Sequence, residues 1–405
     1  MNTQYDELET LVGTELRDRA GDVDGARLTF TDVRGRARRI RRRRQAGAGV
    51  AVAAALAIAV PLGLSGGGSL DSTERIDPAV PDQQEVVRTT FSTAGLDRGA
   101  APAVEYFTEE GVVLPEQGVQ PLEENWQALV PGGPDGGWVA LSPSKDDVVV
   151  LSEDFERVSE QPGGQVLVSN PDRSLLAWTV PGADSQTLVL RPTADPSSGS
   201  AWELPPGPAV QPVGFVSDAS LVYQSTDAQG VAEIGIAHED GTTSAFEDDW
   251  LGAISASPAN GLVAVQTRSN PDMSGCFGVV DPSASTSKTL WDTCGYSLGT
   301  FSPDGRYVLA SGPYQSGSGL DSLSILDART GALVTNFQSE RGTMIPLSGV
   351  VWETADTIIA VANEVNSWTV LRFGVDGRVE ETTEPRNGSD YGDTPFFLSA
   401  DRRPL

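Results

Sequence analysis

A single histidine limits what this chain could do to a chemical bond. His238, in the segment AHEDG, is the only one among 405 residues, so a serine-histidine-aspartate triad would have to be built on it, and a histidine-rich zinc site cannot be built at all. It sits next to a turn, where polar side chains are ordinarily solvated, which makes it a weak candidate for a general base. The 56 acidic residues provide carboxylates in number, yet no spacing singles out a pair for glycoside hydrolysis. No Asp-x-Asp-x-Asp-Gly loop gathers oxygens around calcium. No catalytic, cofactor-binding or metal-binding residue is therefore nominated, and neither a metal nor a cofactor is expected.

The other reactive pair is Cys276 and Cys294. They flank two strand-like segments, residues 277–281 and 288–292, and an antiparallel hairpin of these would bring the two sulfurs together. A bond closing a loop of that size stabilises a fold by about 3 kcal/mol in the chain-entropy treatment, and it requires an oxidising compartment. The alternative is a pair of unlinked small core residues. No Cys-x-x-Cys spacing points to redox catalysis.

These side chains need a scaffold, and the chain repeats itself at forty to fifty residues. The clearest unit begins at Phe301, FSPDGRYVLASG, and continues through LSILDARTGALVTNF, which starts at Leu323. Pro303 presets φ for a tight turn, Asp304 and Gly305 complete it, and apolar residues follow, so the unit reads as two successive hairpins. The same punctuation recurs with decay. Taking Ser142, Asn170, Ser217, Ser257, Ser302, Glu353 and Ser399 as equivalent gives seven anchors with steps of 28, 47, 40, 45, 51 and 46 residues. All but the first suit a four-stranded blade.

FSPDGRYVLA followed by LDARTG resembles the WD40-like repeat of bacterial TolB-type β-propellers, over roughly residues 100–405. The resemblance implies an all-β toroid of about seven four-stranded blades, with six or eight as alternatives, that serves protein or glycan contacts and implies no particular reaction. The final anchor supplies one lone strand near the end, which would close the ring by pairing with residues 104–114. Propeller enzymes, hydrolases or quinoproteins, are the alternative class. The Ser-x-Asp-x-Gly-x-Thr-Trp boxes of sialidase-like propellers are absent, and LDARTGALVTNF is a single weak match to quinone-cofactor repeats. Trp202, Trp250 and Trp291 each end an expected blade and read as packing between blades.

Ahead of the repeats, eight arginines in residues 34–44 meet nineteen uncharged residues, 46–64. A helix of that length spans about 28 Å, close to the hydrocarbon core of a bilayer, and the arginines favour the cytoplasmic side. The expected order is a cytoplasmic segment 1–45, a transmembrane helix 46–64, a flexible stem 65–85 and an extracytoplasmic propeller 86–405. A cleaved signal peptide is the main rival, opposed by the long segment in front. This layout resembles membrane-anchored WD40-like proteins of high-GC Gram-positive bacteria. Beyond residue 45 the chain holds 17 basic against 48 acidic residues, which argues against nucleic acid as a partner.

Within residues 1–33, Leu8, Leu11, Val12 and Leu16 form one apolar stripe at helical spacing. That stripe could dock a cytosolic regulator, making the chain a transmembrane signalling regulator such as a sigma-factor partner. The zinc-binding His-x-x-x-Cys-x-x-Cys of many anti-sigma factors is absent. The leading expectation is a single-pass cell-membrane protein, amino terminus cytoplasmic, whose propeller binds or scaffolds an extracytoplasmic protein or glycan without catalysing a reaction.

Overall fold

A computed structural model describes residues 85–398 apart from 123–125, 127, 133–135, 143–146, 164–165, 183–185, 195, 197–208, 228–230, 239, 247–249, 271–274, 284–287, 313–318, 341, 347–348 and 389–393. The arginine run, the hydrophobic segment 46–64, the apolar stripe of residues 1–33, Trp202 and Ser399 lie outside these residues. Among the described residues no helix is long and apolar enough to cross a membrane.

Among the described residues thirty strands form seven sheets, and the fold is a seven-bladed β-propeller. Blades 1 to 6 follow in order: residues 128–162, 167–192, 209–245, 252–293, 297–339 and 343–387. Blade 7 joins the two ends of the fold. Its inner strand Phe397–Leu398 pairs antiparallel with Tyr106–Thr108, which continues into Gly111–Leu114 and Gly118–Gln120. The closing partner thus falls inside the segment 104–114 that the sequence nominates.

Period-two alternation explains the ring. In Tyr307–Ser311, Val308 and Ala310 pack against blade 4, while Leu309 between them packs against blade 6. Every blade is apolar on both faces, and seven hydrophobic clusters fill the seven interfaces between neighbours. The last interface depends on Phe396 and Leu398, which pack with Ile359, Val361 and Trp368 of blade 6.

Three of the anchors mark first turns with a shared hydrogen bond, five residues long. Ser302 N–H donates to Tyr307 O at 2.9 Å, Ser257 to Leu262 O at 2.8 Å and Asn170 to Leu175 O at 3.1 Å. Ser142 makes the same bond to Asp147, but it lies between the second and third strands of blade 1. The equivalent first turn of that blade is at Gly132, whose N–H bonds Gly137 O. Moving the anchor there replaces the odd 28-residue step by 38 residues, Gly132 to Asn170, and leaves the count of seven unchanged.

One element is absent from the sequence reading. Val87–Phe91 adds a fifth, parallel strand outside Leu333–Ser339 of blade 5, with Val87 opposite Thr335 and Phe91 opposite Ser339. From there the chain runs as a strap over blade 6 to reach blade 7. Phe91 is buried edge-on to Phe373, their ring centroids 5.0 Å apart. Gly99 N–H then bonds Glu381 O at 2.8 Å. The strap is latched by Arg372, which pairs with Glu353 and donates to the carbonyls of Ala100 and Ala101, while Ala103 N–H donates to Glu353 at 2.7 Å.

The Glu353 side chain is only 3% exposed, so losing its partner would strand a buried charge. Burial disfavours its ionised form, but the hydrogen bonds from Arg372 and Ala103 and the guanidinium charge outweigh this and hold the carboxyl below the usual range. A carboxyl whose folded pKa is depressed contributes stability above its unfolded pKa and loses it as pH falls through the folded value. Glu353→Gln should therefore cost stability at pH 7, and the difference from the unaltered protein should shrink as pH drops below about 4.5. Urea midpoints between pH 7 and 3 measure this, and a difference independent of pH would discount the ion pair. Leu398→Ala should lower stability by about 2–4 kcal/mol, because it hollows the seventh interface. An unchanged denaturation midpoint would mean that the closing strand does not hold the ring.

Candidate binding site

The turns between first and second strands open on one face around the propeller axis. Those of blades 2 to 5 converge on a cavity of about 420 Å³. Pro171, Pro258 and Pro303 stand at its rim, each the second residue of its turn, and Val213, Phe215 and Phe301 supply apolar wall. The proline at that position fixes φ for the turn and leaves no N–H to satisfy.

Side chains stitch successive turns together. Asn170 Nδ2 donates to Asp218 O at 2.8 Å between blades 2 and 3, and Asn260 Nδ2 to Gly305 O at 2.6 Å between blades 4 and 5. Ser255 Oγ donates to Gly299 O at 2.7 Å, joining two inner strands that line the cavity. Beyond blade 5, Arg306 pairs with Asp356 of blade 6 at 2.8 Å. The rim is thus cross-linked by hydrogen bonds rather than left as independent loops.

The three turn residues read from the sequence take different parts in this. Pro303 borders the cavity. Asp304 organises the turn, accepting from Ser302 Oγ and from the Arg306 N–H. Partial burial opposes ionisation of Asp304, but these bonds and its pairing with the Arg306 guanidinium prevail and hold its carboxyl below the usual range. Gly305 adopts φ +72°, and a Cβ there would come within 2.7 Å of Asn260 Nδ2 and 2.8 Å of Ser257 Oγ. Gly305→Ala should cost more than about 1 kcal/mol, since both the backbone and the neighbouring blade resist it. Thermal denaturation of this variant checks the claim, and a stability equal to that of the unaltered protein would refute it.

Arg173 is the residue that sequence reading passed over. Its turn, Asn170-Pro171-Asp172-Arg173, matches Ser302-Pro303-Asp304-Gly305 bond for bond: Arg173 N–H donates to Asn170 O at 3.0 Å, as Gly305 N–H does to Ser302 O at 2.8 Å. Arg173 accordingly holds φ +60° where the clearest repeat has glycine. It lines the cavity, and among the described residues no other lining residue is charged. The signal was present in the alignment of NPDR with SPDG, in which arginine occupies a glycine position.

The remaining chemical candidates lie apart from this cavity. His238 is half-buried, and its Nδ1 is 3.0 Å from Ser220 Oγ, its cross-strand neighbour. Asp240 nearby accepts from the Thr242 N–H and hydroxyl, and among the described residues no carboxylate hydrogen-bonds the His238 ring. Cys276 and Cys294 form a disulfide that fastens the third and fourth strands of blade 4, Gly275–Asp281 and Lys288–Thr293. Trp250 is buried between blades 3 and 4, and Trp291 Nε1 donates to Ala328 O of blade 5 at 2.9 Å. A second cavity of about 500 Å³ opens beside Val87 and Val334, but its cations are engaged: Arg372 with Glu353 and Glu380, and Arg378 with Asp376 and Glu380. Among the described residues no group of three or more His, Cys, Asp or Glu side chains is placed to hold a metal ion.

The fold defines a seven-bladed β-propeller. TolB from Acinetobacter baumannii shares 16% identity with a TM-score of 0.39, over 62% of this chain and 65% of that one, so the chain spans just under two thirds of TolB. The β-propeller domain of the Trilobed protease from Pyrococcus furiosus shares 10% identity with a TM-score of 0.44, over 66% and 85% of the two chains. One of two prolyl endopeptidases shares 14% identity with a TM-score of 0.47, over 72% of this chain and 50% of that one. No family model matches the sequence, and no curated protein matches it.

Proposed function

We propose that the chain is a single-pass membrane protein that displays its propeller outside the cytoplasm as a non-enzymatic binding module, and that the central mouth contacts an extracytoplasmic protein or glycan. The observation that carries the reading is the open cavity of about 420 Å³, walled by apolar side chains and framed by cross-linked turns. Such a mouth gives a preformed concave surface, which binds without having to order loops first. The membrane part rests on residues 34–64, where the arginine run borders the uncharged segment. The disulfide accords with an oxidising compartment. Residues 1–33 offer the cytosolic end of such a protein a docking stripe for a regulator.

A reporter that works only in the cytoplasm should be active when fused ahead of Asp32, and one that works only outside should be active when fused after Leu405. Activity of both on one side would reject the topology. In the same cells, a photoreactive benzoylphenylalanine at position 303 should form a discrete adduct, whereas at Val158, 62% exposed on the outer strand of blade 1, it should not. Equal labelling at the two positions would remove the mouth from consideration.

A further inference from the structure

We propose that the central mouth receives a single carboxylate, carried on an extended, otherwise apolar segment of a partner protein, and that Arg173 binds it; this rests on the mouth being the binding face. Arg173 is, among the described residues, the one charged side chain lining the cavity. Among the described residues its guanidinium has no ion pair, a state it shares with Arg88 and Arg329 away from the cavity, whereas Arg98, Arg268, Arg306, Arg372, Arg378 and Arg386 all lie within reach of carboxylates. A cation left unpaired in so acidic a domain is a position where no carboxylate of the chain itself has been placed.

The backbone points the same way. Gly261 and Gly305 hold the left-handed position of their turns at φ +72°, and blade 2 keeps arginine in that conformation at φ +60° despite the strain a Cβ brings. Among the described residues no ion pair of the Arg173 side chain offsets that strain.

The ligand class follows from the wall. One guanidinium matches one carboxylate through two parallel hydrogen bonds, whereas a phosphate dianion calls for more cationic donors than the cavity has. Three prolines with the edge of Phe301 offer apolar surface to the residues on either side of that carboxylate, which suits a peptide better than a sugar. The acidic surroundings repel strongly anionic partners, so the segment carries its one negative charge in a neutral or basic context.

The test uses full-length protein in detergent micelles and a fluorescent library of acetylated, amidated octapeptides of Ala, Val and Pro. Each peptide carries one Glu, Gln, Lys or phosphoserine at varied positions. A parallel Gln set with a free carboxyl terminus separates a chain-end carboxylate from a side-chain one. By anisotropy, Glu or free-terminus peptides should bind about tenfold or more tightly than their blocked Gln counterparts. Arg173→Gly should erase that preference while leaving the melting temperature equal or higher, because glycine suits the backbone there. Arg173→Glu should turn the preference toward Lys.

Equal affinity for Glu and Gln, a stronger preference for phosphoserine, a preference that survives Arg173→Gly, or no binding by any peptide would each overturn the inference. Pro258→Trp separates the two levels. If it abolishes charge-independent binding, the mouth is the site and only the carboxylate assignment fails. If it leaves binding intact, the mouth itself is excluded.

Discussion

Every blade of this molecule is apolar on both faces, and that constraint governs the rest of the structure. Strand residues alternate between two neighbouring sheets, so Val308 and Leu309, adjacent in sequence, serve different interfaces. An open row of such blades would leave two large apolar faces in water. Seven clusters for seven blades means that none is left over, and the closure is made by two residues of inner strand, Phe397–Leu398, with the adjacent Phe396.

The seam and the mouth occupy different parts of the ring. Closure involves blades 6, 7 and 1, and the strap from Val87 to Ala103 reinforces this side through Phe91 and the Glu353–Arg372 pair. The cavity is built by blades 2 to 5, which are continuous in sequence and linked through Asn170, Ser255 and Asn260. The strap, in turn, fixes where the chain enters the propeller, since its parallel pairing sets residue 87 beside the turn that precedes Leu333.

Polar chemistry at the mouth comes from departures within a repeated turn. The repeat wants proline second and a left-handed residue fourth or fifth, positions filled by Pro303 with Gly305 and by Pro258 with Gly261. Where the repeat is kept, these residues shape the rim. Blade 2 keeps the turn and substitutes arginine for glycine, and so puts a charge beside the axis. A toroid of equivalent units acquires a distinctive site by changing one such position, without altering the scaffold.

Local chemistry made much of this protein legible from its sequence. FSPDGRYVLA specified a turn and its flanking strands, seven anchors gave the blade number, and the cysteine spacing across a hairpin gave the disulfide. Each is decided by residues within a few positions of one another, through φ preferences and period-two alternation. What tertiary structure alone decided is non-local. The anchor of blade 1 is Gly132 because sheet order, rather than resemblance to Ser-Pro, defines an inner strand, and the Pro-Asp-Gly-Gly at 134–137 was the better signal. The pairing of Val87–Phe91 with a strand far along the chain has no local signature, since any strand edge would satisfy its backbone. Arg173 reads in sequence as one more surface charge. Only the ring, by bringing four turns to a common axis, makes it the charge at the mouth.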